Sequence, residues 1–173
     1  MPSVIVIPMS LEPAVALLQR VDLFSGLDAV RLEVVAFTCE RREYAPGETL
    51  FETGEEADCA WLILEGEAVM LAAQDKGLPR ALRLDTGDLI GETALFNRER
   101  RRTCVRAVTQ LETLRIGRDM FQRLLGEFPE MASLLQRVWR TDWKMPGRSF
   151  GHWNYGSHKA ERKKRSKGGE RNE

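Results

Sequence analysis

Between Phe37 and Gly117 short β-prone runs alternate with turn residues at close intervals, and this pattern constrains the fold more than any other feature of the chain. The runs are 37–44, 49–51, 59–64, 68–73, 80–84, 89–90, 103–109 and 111–116. Between them stand Ala45-Pro46-Gly47, Thr53-Gly54, Glu65-Gly66, Asp75-Lys76-Gly77 and Asp85-Thr86-Gly87-Asp88. Runs too short for helices, closed by residues that accept tight-turn geometry, predict an all-β sandwich or barrel. The expected fold is therefore mainly β with flanking helices: a β-roll or jelly-roll barrel, N-terminal helices before it and two C-terminal helices after it.

The β series breaks once, at Gly91-Glu92-Thr93-Ala94-Leu95-Phe96, followed by the arginine-rich Asn97-Arg98-Glu99-Arg100-Arg101-Arg102. A short helix starting at Gly91-Glu92 would aim several unpaired backbone N–H groups at one spot, which attracts anions. Arginines returning to that spot would clamp a phosphate through forked, charge-assisted hydrogen bonds. Glu92 alone would repel a phosphate; it fits only a ligand that also offers hydroxyl donors, as a ribose does. The residue types at this spacing thus point to a sugar phosphate or nucleotide. The plainer reading of the same arginines is a solvated basic loop, and of Glu92, a cap on its own helix.

The flanks read as helical. Residues 10–20 place Leu11, Val15 and Leu18 on one face, with Ser10 as cap and Glu12 in the first turn, where the helix dipole favours an acid. Asp28 starts a second helix carrying Val30, Leu32, Val34 and Val35 to about Ala36. After the barrel, 118–126 carries Met120, Phe121, Leu124 and Leu125 at helical spacing, with Gly126 as its expected C-terminal cap. A longer helix follows from about Glu130 to near Trp143, striped by Met131, Leu134, Leu135, Val138 and Trp139. The chain divides into an N-terminal segment 1–9, one domain over 10–143 and a basic tail over 144–173. That tail holds nine Lys or Arg against three Asp or Glu; after Phe150, Trp153 and Tyr155 among glycines, its charged run 159–167 lacks core formers and is expected to be disordered when free. With 26 basic and 26 acidic residues in all, the body carries the complementary excess of acid.

Several functions are disfavoured. No apolar run approaches the ~18 residues of a membrane span. Three widely spaced cysteines, Cys39, Cys59 and Cys104, suit neither a disulfide framework nor a zinc site, and they imply a reducing, cytoplasmic setting. The only histidines, His152 and His158, lie in the tail, and no glycine-rich loop ending in Lys-Ser/Thr appears, so an enzyme is the least favoured class. Neither a metal nor a cofactor is expected.

Beyond the cassette formed by the stretch from Gly91 to Arg102, Pro46-Gly47-Glu48, the Gly54 turn, Trp61-Leu62-Ile63-Leu64-Glu65-Gly66 and Gly87-Asp88-Leu89-Ile90 occur in a specific order. Together with Ile90-Gly91-Glu92-x-Ala94-Leu95 and Arg101-x-x-x-Val105-x-Ala107, they give the chain from about Leu23 to Trp139 a clear family likeness. It resembles the cyclic nucleotide-binding domains of catabolite-activator-type regulators, cyclic-nucleotide-dependent kinases and gated channels. The resemblance implies that Glu92 accepts the ribose 2′-hydroxyl, that amides near Thr93 and Ala94, after Gly91, meet the cyclic phosphate, and that Arg101 pairs with its charge. Arg101 is preferred to Arg100 or Arg102 because its spacing to Val105 and Ala107 matches the family. Arg102 stands where the family usually has a small residue or Ser/Thr, and Arg100 where proline is usual. A one-residue slip would make Arg102-Thr103 a guanine-favouring pair, so cAMP and cGMP both stay open.

The resemblance implies a stand-alone sensor, without a DNA-binding domain, that signals to a protein partner by moving its C-terminal helices. The stripe of its last helix favours plain packing or a dimer seam over a lid formed by Trp139 and Trp143 across the base. No helix-turn-helix follows the domain, which argues against DNA binding through one. The alternatives are a degenerate, ligand-free scaffold of the same fold and a nucleic-acid binder acting through the basic tail.

Overall fold

The computed structural model describes residues 11–72 and 80–133, all within a unit spanning Met1–Trp139. The expectations for Ser10, the 75–77 turn, Leu134 to Trp143 and the tail lie outside the described residues.

Among the described residues the β-prone region forms ten strands: β1 (Glu40–Tyr44), β2 (Thr49–Phe51), β3 (Glu56–Ala57), β4 (Cys59–Glu65), β5 (Ala68–Ala72), β6 (Arg80–Leu84), β7 (Leu89–Ile90), β8 (Glu99–Arg100), β9 (Thr103–Ala107) and β10 (Leu111–Gly117). They build two four-stranded antiparallel sheets, in the orders β1-β10-β4-β7 and β2-β9-β5-β6, and a ribbon of β3 with β8. Strands distant in sequence are neighbours in both sheets, so the chain rolls back on itself rather than meandering. This is the mainly β roll that the turn spacing predicts.

Strand β4 shows how the roll joins the helices. Cys59 to Ile63 are all buried, because both faces of the strand are covered. Ala60 and Leu62 pack with Leu114 and Ile116 of β10 into the core shared with the helices, while Trp61, on the opposite face, stacks on Phe51 of the second sheet. A strand covered on both sides reads as a continuous apolar run rather than an alternation, as Cys59-Ala60-Trp61-Leu62-Ile63-Leu64 does.

Helices α1 (Glu12–Gln19), α2 (Ala29–Thr38) and α3 (Arg118–Glu127) cover the first sheet. In α1 the buried positions are Ala14 and Leu18, flanked by partly buried Leu11 and Val15. Leu11 occupies the N-cap without a side-chain cap bond, and Pro13 sits in the first turn, where its missing N–H costs no helical bond. Asp28 caps α2 as expected, its carboxylate accepting the Arg31 N–H at 2.9 Å. A 3₁₀ turn at Asp22–Phe24 buries Phe24 between them.

Several boundaries differ from the sequence reading; the run expected over 103–109 is a strand only to Ala107. Phe37, expected to open the first strand, lies in α2, which continues to Thr38 and leaves Phe37 78% exposed. Helical spacing of the buried Leu32, Val35 and Ala36 wins over the β preference of the Val-Val-Ala-Phe run, and Val30 also faces outward, at 69% exposure. The basic loop after the cassette contains β8, which pairs Glu99 with Ala57 and Arg100 with Glu56. Gly126 is not a C-terminal cap: α3 runs through it to Glu127, and Phe128 takes that place. The chain is helical again over 129–133.

Candidate functional site

The site forms where the 3₁₀ turn Glu92–Leu95, entered from β7, faces the segment between β8 and β9. Gly91 starts the turn in the left-handed region, at φ 74°. A β-carbon there would also collide with Arg101 Nη1. Glycine suits the backbone angle, and its missing β-carbon also leaves room for the end of the Arg101 side chain.

The backbone of Arg101 is pinned from both sides, its N–H donating to the Glu55 carbonyl and its carbonyl accepting from the Gly54 N–H, each at 2.8 Å. The β3–β8 ribbon just before it and the β2–β9 pairing of Phe51 with Val105 just after it leave the side chain one direction, inward. Arg101 is 7% exposed, whereas Arg98, Arg100 and Arg102 are exposed. Arg100 donates to the Gly54 carbonyl at 2.9 Å. Thr103 opens β9 opposite Ala72 and is half-buried, two and four residues ahead of the buried Val105 and Ala107. The structure thus brings Arg101 to the Gly91 turn and leaves Arg102 in solvent.

The guanidinium lies 4.4 Å from the Phe51 ring centroid and 4.8 Å from that of Trp61. Its Nη2 donates to the Cys59 carbonyl at 2.6 Å, and Nε is buried without an acceptor. Among the described residues no carboxylate forms an ion pair with Arg101; Asp58, beside Cys59, is paired with Arg115 at 3.0 Å. Burial pulls the Arg101 guanidinium below its ordinary value. A buried cation without a counter-ion is costly unless something else supplies the anion.

Glu92 is half-buried in the turn, and the density of protein around it pushes its carboxyl above the usual range, with the Glu99 charge adding to the effect. Its own backbone N–H and Arg101 pull the other way without prevailing. Thr93 Oγ1 donates to Glu99 Oε1, tying the turn to β8. The first bond of the turn runs from the Ala94 N–H to the Gly91 carbonyl at 3.1 Å. The Ala94 amide is therefore engaged within the turn, and the Thr93 amide precedes the bonded ones. The described residues hold no group of three His, Cys, Asp or Glu side chains placed to bind a metal. None of their helices is long and apolar enough to cross a membrane.

Sequence reasoning missed Arg118. It is 8% exposed at the start of α3, with Nε donating to the Ala94 carbonyl at 2.5 Å and Nη2 to the Ala57 carbonyl. Gln122 Nε2 reaches the Leu95 carbonyl at 3.5 Å, and Phe121 meets Phe96 edge to face at 5.6 Å. Helix α3 is thereby fastened to the far side of the cassette turn. Only the placement of an arginine, rather than an apolar residue, at the first turn of a packed helix hints at this in sequence.

The family described as "Cyclic nucleotide-binding domain" matches residues 41–128, which include the whole site. The cAMP-dependent protein kinase regulatory subunit of Aspergillus fumigatus is 34% identical over 111 residues, covering 64% of this chain and 26% of that protein. The chain spans about a quarter to a third of the length of such curated relatives. Among solved structures, the N-terminal domain of a transcriptional regulator from Streptomyces coelicolor A3(2) superposes with a TM-score of 0.70 at 28% identity, covering 78% of this chain and 99% of that one. A cyclic nucleotide-binding-like protein from Brucella abortus gives 0.58 at 32% identity, with coverage of 65% and 97%. Roll, cassette turn and inward arginine all lie within the matched span, and the chain belongs to the cyclic nucleotide-binding domain family.

Proposed function

We propose that this chain is a cyclic nucleotide sensor, binding cAMP or cGMP at the Gly91–Arg101 site and signalling to a protein partner through its C-terminal helices. The observation that carries this reading is Arg101: a buried guanidinium with an acceptor-less Nε and no carboxylate partner among the described residues, set against a glycine-started turn. Arg101 takes the phosphate charge, the Thr93 amide supplies a further donor, and Glu92 accepts the ribose 2′-hydroxyl. One guanidinium near the carboxylates of Glu92 and Glu99 suits a singly charged phosphodiester better than a doubly charged monoester. No residue is assigned a catalytic role. Reduced cysteines at 39, 59 and 104 suit a cytoplasmic setting.

Movement of the turn reaches α3 through Arg118, Gln122 and Phe121, which is the two-state element that a signalling role needs. The regulatory subunits that the chain resembles favour a protein as recipient.

Calorimetric titration with cAMP, cGMP and 5′-AMP tests the reading. Saturable binding of one or both cyclic nucleotides is expected, with 5′-AMP weaker. Arg101→Ala is expected to lose about one to two orders of magnitude in affinity, the worth of a charge-assisted bond. Absence of saturable binding by the wild type, or equal binding by an Arg101→Ala/Glu92→Ala double variant, would sink it and leave the ligand-free scaffold.

A further inference from the structure

What holds Arg101 in place is aromatic rather than acidic. Phe51, from β2, and Trp61, from β4, stack at 5.1 Å with their planes 26° apart, and the guanidinium caps the pair within 4.4 and 4.8 Å of the two centroids. The two rings come from different sheets. Phe51 pairs with Val105, shortly after Arg101, and Trp61 pairs with Ile90, immediately before the Gly91 turn. The Trp61 indole is fixed by a 3.2 Å hydrogen bond from Nε1 to the Tyr44 hydroxyl.

We infer that Phe51 and Trp61 are positioning residues: an aromatic seat that orients the Arg101 guanidinium for a phosphate diester, where a carboxylate would both orient and neutralise it. The inference rests on the cyclic nucleotide reading of the site. A ring face attracts a cation through its quadrupole, more strongly when water is excluded, yet contributes no net charge. The seat therefore compensates part of the cost of burying Arg101 and leaves its unit charge for the ligand. The Cys59 carbonyl takes one donor at Nη2, and Nε is buried without an acceptor. Held this way, the side chain has little rotamer freedom left to lose when a ligand arrives.

The experiment joins calorimetry on Trp61→Leu, Phe51→Leu and Trp61→Phe to arginine-side-chain NMR, with amide spectra to establish that each variant is folded. Without nucleotide, the wild-type Arg101 Nε–H resonance is expected upfield of exposed arginines, shifted by the ring currents and slow to exchange with water. Either leucine variant loses part of that shift, the other ring remaining, and binds cyclic nucleotide about ten- to thirty-fold more weakly. Trp61→Phe, which keeps a ring face but loses the bond to Tyr44 and the wider indole surface, stays within about three-fold of wild type. An unshifted wild-type resonance overturns the seat, and this arm needs no variant to fold. Folded leucine variants that bind as well as or better than wild type overturn its role in binding. A wild type that binds neither nucleotide while showing the upfield resonance sinks the ligand reading and leaves the seat standing.

Discussion

At the scale of single residues the site consists of groups that the fold tolerates rather than favours. Glu92 is the clearest. Its carboxyl is raised because burial penalises the charged form, so its favourable contribution to stability is fully present below the ordinary glutamate range and is lost as pH rises through the folded value. Glu92→Gln is therefore expected to raise the melting temperature at pH 7 and to lose that advantage near pH 4, while binding less nucleotide; thermal melts across that range check it. Gly91→Ala is expected to cost about 1–2 kcal/mol from the left-handed backbone alone and to displace Arg101 as well, so affinity should fall more than stability does; paired denaturant and binding titrations measure both. Of these residues, Glu92 and Arg101 were legible in the sequence, because a glycine-acid pair and a spaced arginine are local patterns. Arg101 is preferred to Arg102 there for its spacing to Val105 and Ala107; what that spacing does not show is the cause, the Gly54 and Glu55 backbone bonds, which come from a loop far away in the chain.

At the scale of elements, a 3₁₀ turn, helix α3 and a ribbon set the geometry. The β-runs announce themselves through their turns, and the length of the apolar run in β4 reflects its two covered faces. The ribbon of β3 and β8 was invisible, because two-residue strands made of Glu-Ala and Glu-Arg carry no alternation; only their mutual pairing defines them. Phe37 was misread for the opposite reason, a β-like composition inside a helix whose hidden face alone decides the matter. Helix α3 offers the test at this scale. Arg118→Met would leave the Ala94 and Ala57 carbonyls without their donor and is expected to destabilise the protein by about 2–4 kcal/mol in urea denaturation. It should also shrink the nucleotide-dependent change in hydrogen exchange over 118–127, because the turn and the helix then move apart.

At the scale of the whole molecule, a ligand that supplies the missing anion should stabilise the fold as well as occupy it. At one hundred times its dissociation constant, nucleotide contributes about 2.7 kcal/mol, which corresponds to a rise in melting temperature of about 5–10 °C for a chain of this size. Arg101→Ala should abolish most of that rise in a scanning-fluorimetry series. The thiol of Cys59, whose carbonyl holds Arg101, lies 3.7 Å from Nη2 and is pushed up to about 12 by burial first and its hydrogen bond with Asp58 second. A thiol so protonated and so enclosed is chemically silent while the site is shut. Its alkylation in native buffer must then wait for the guanidinium and its rings to part, which makes the labelling rate at Cys59 a clock for that local opening. Nucleotide is expected to slow the clock, and Cys59 labelling at the same rate with nucleotide and without would show that the ligand does not hold this site shut.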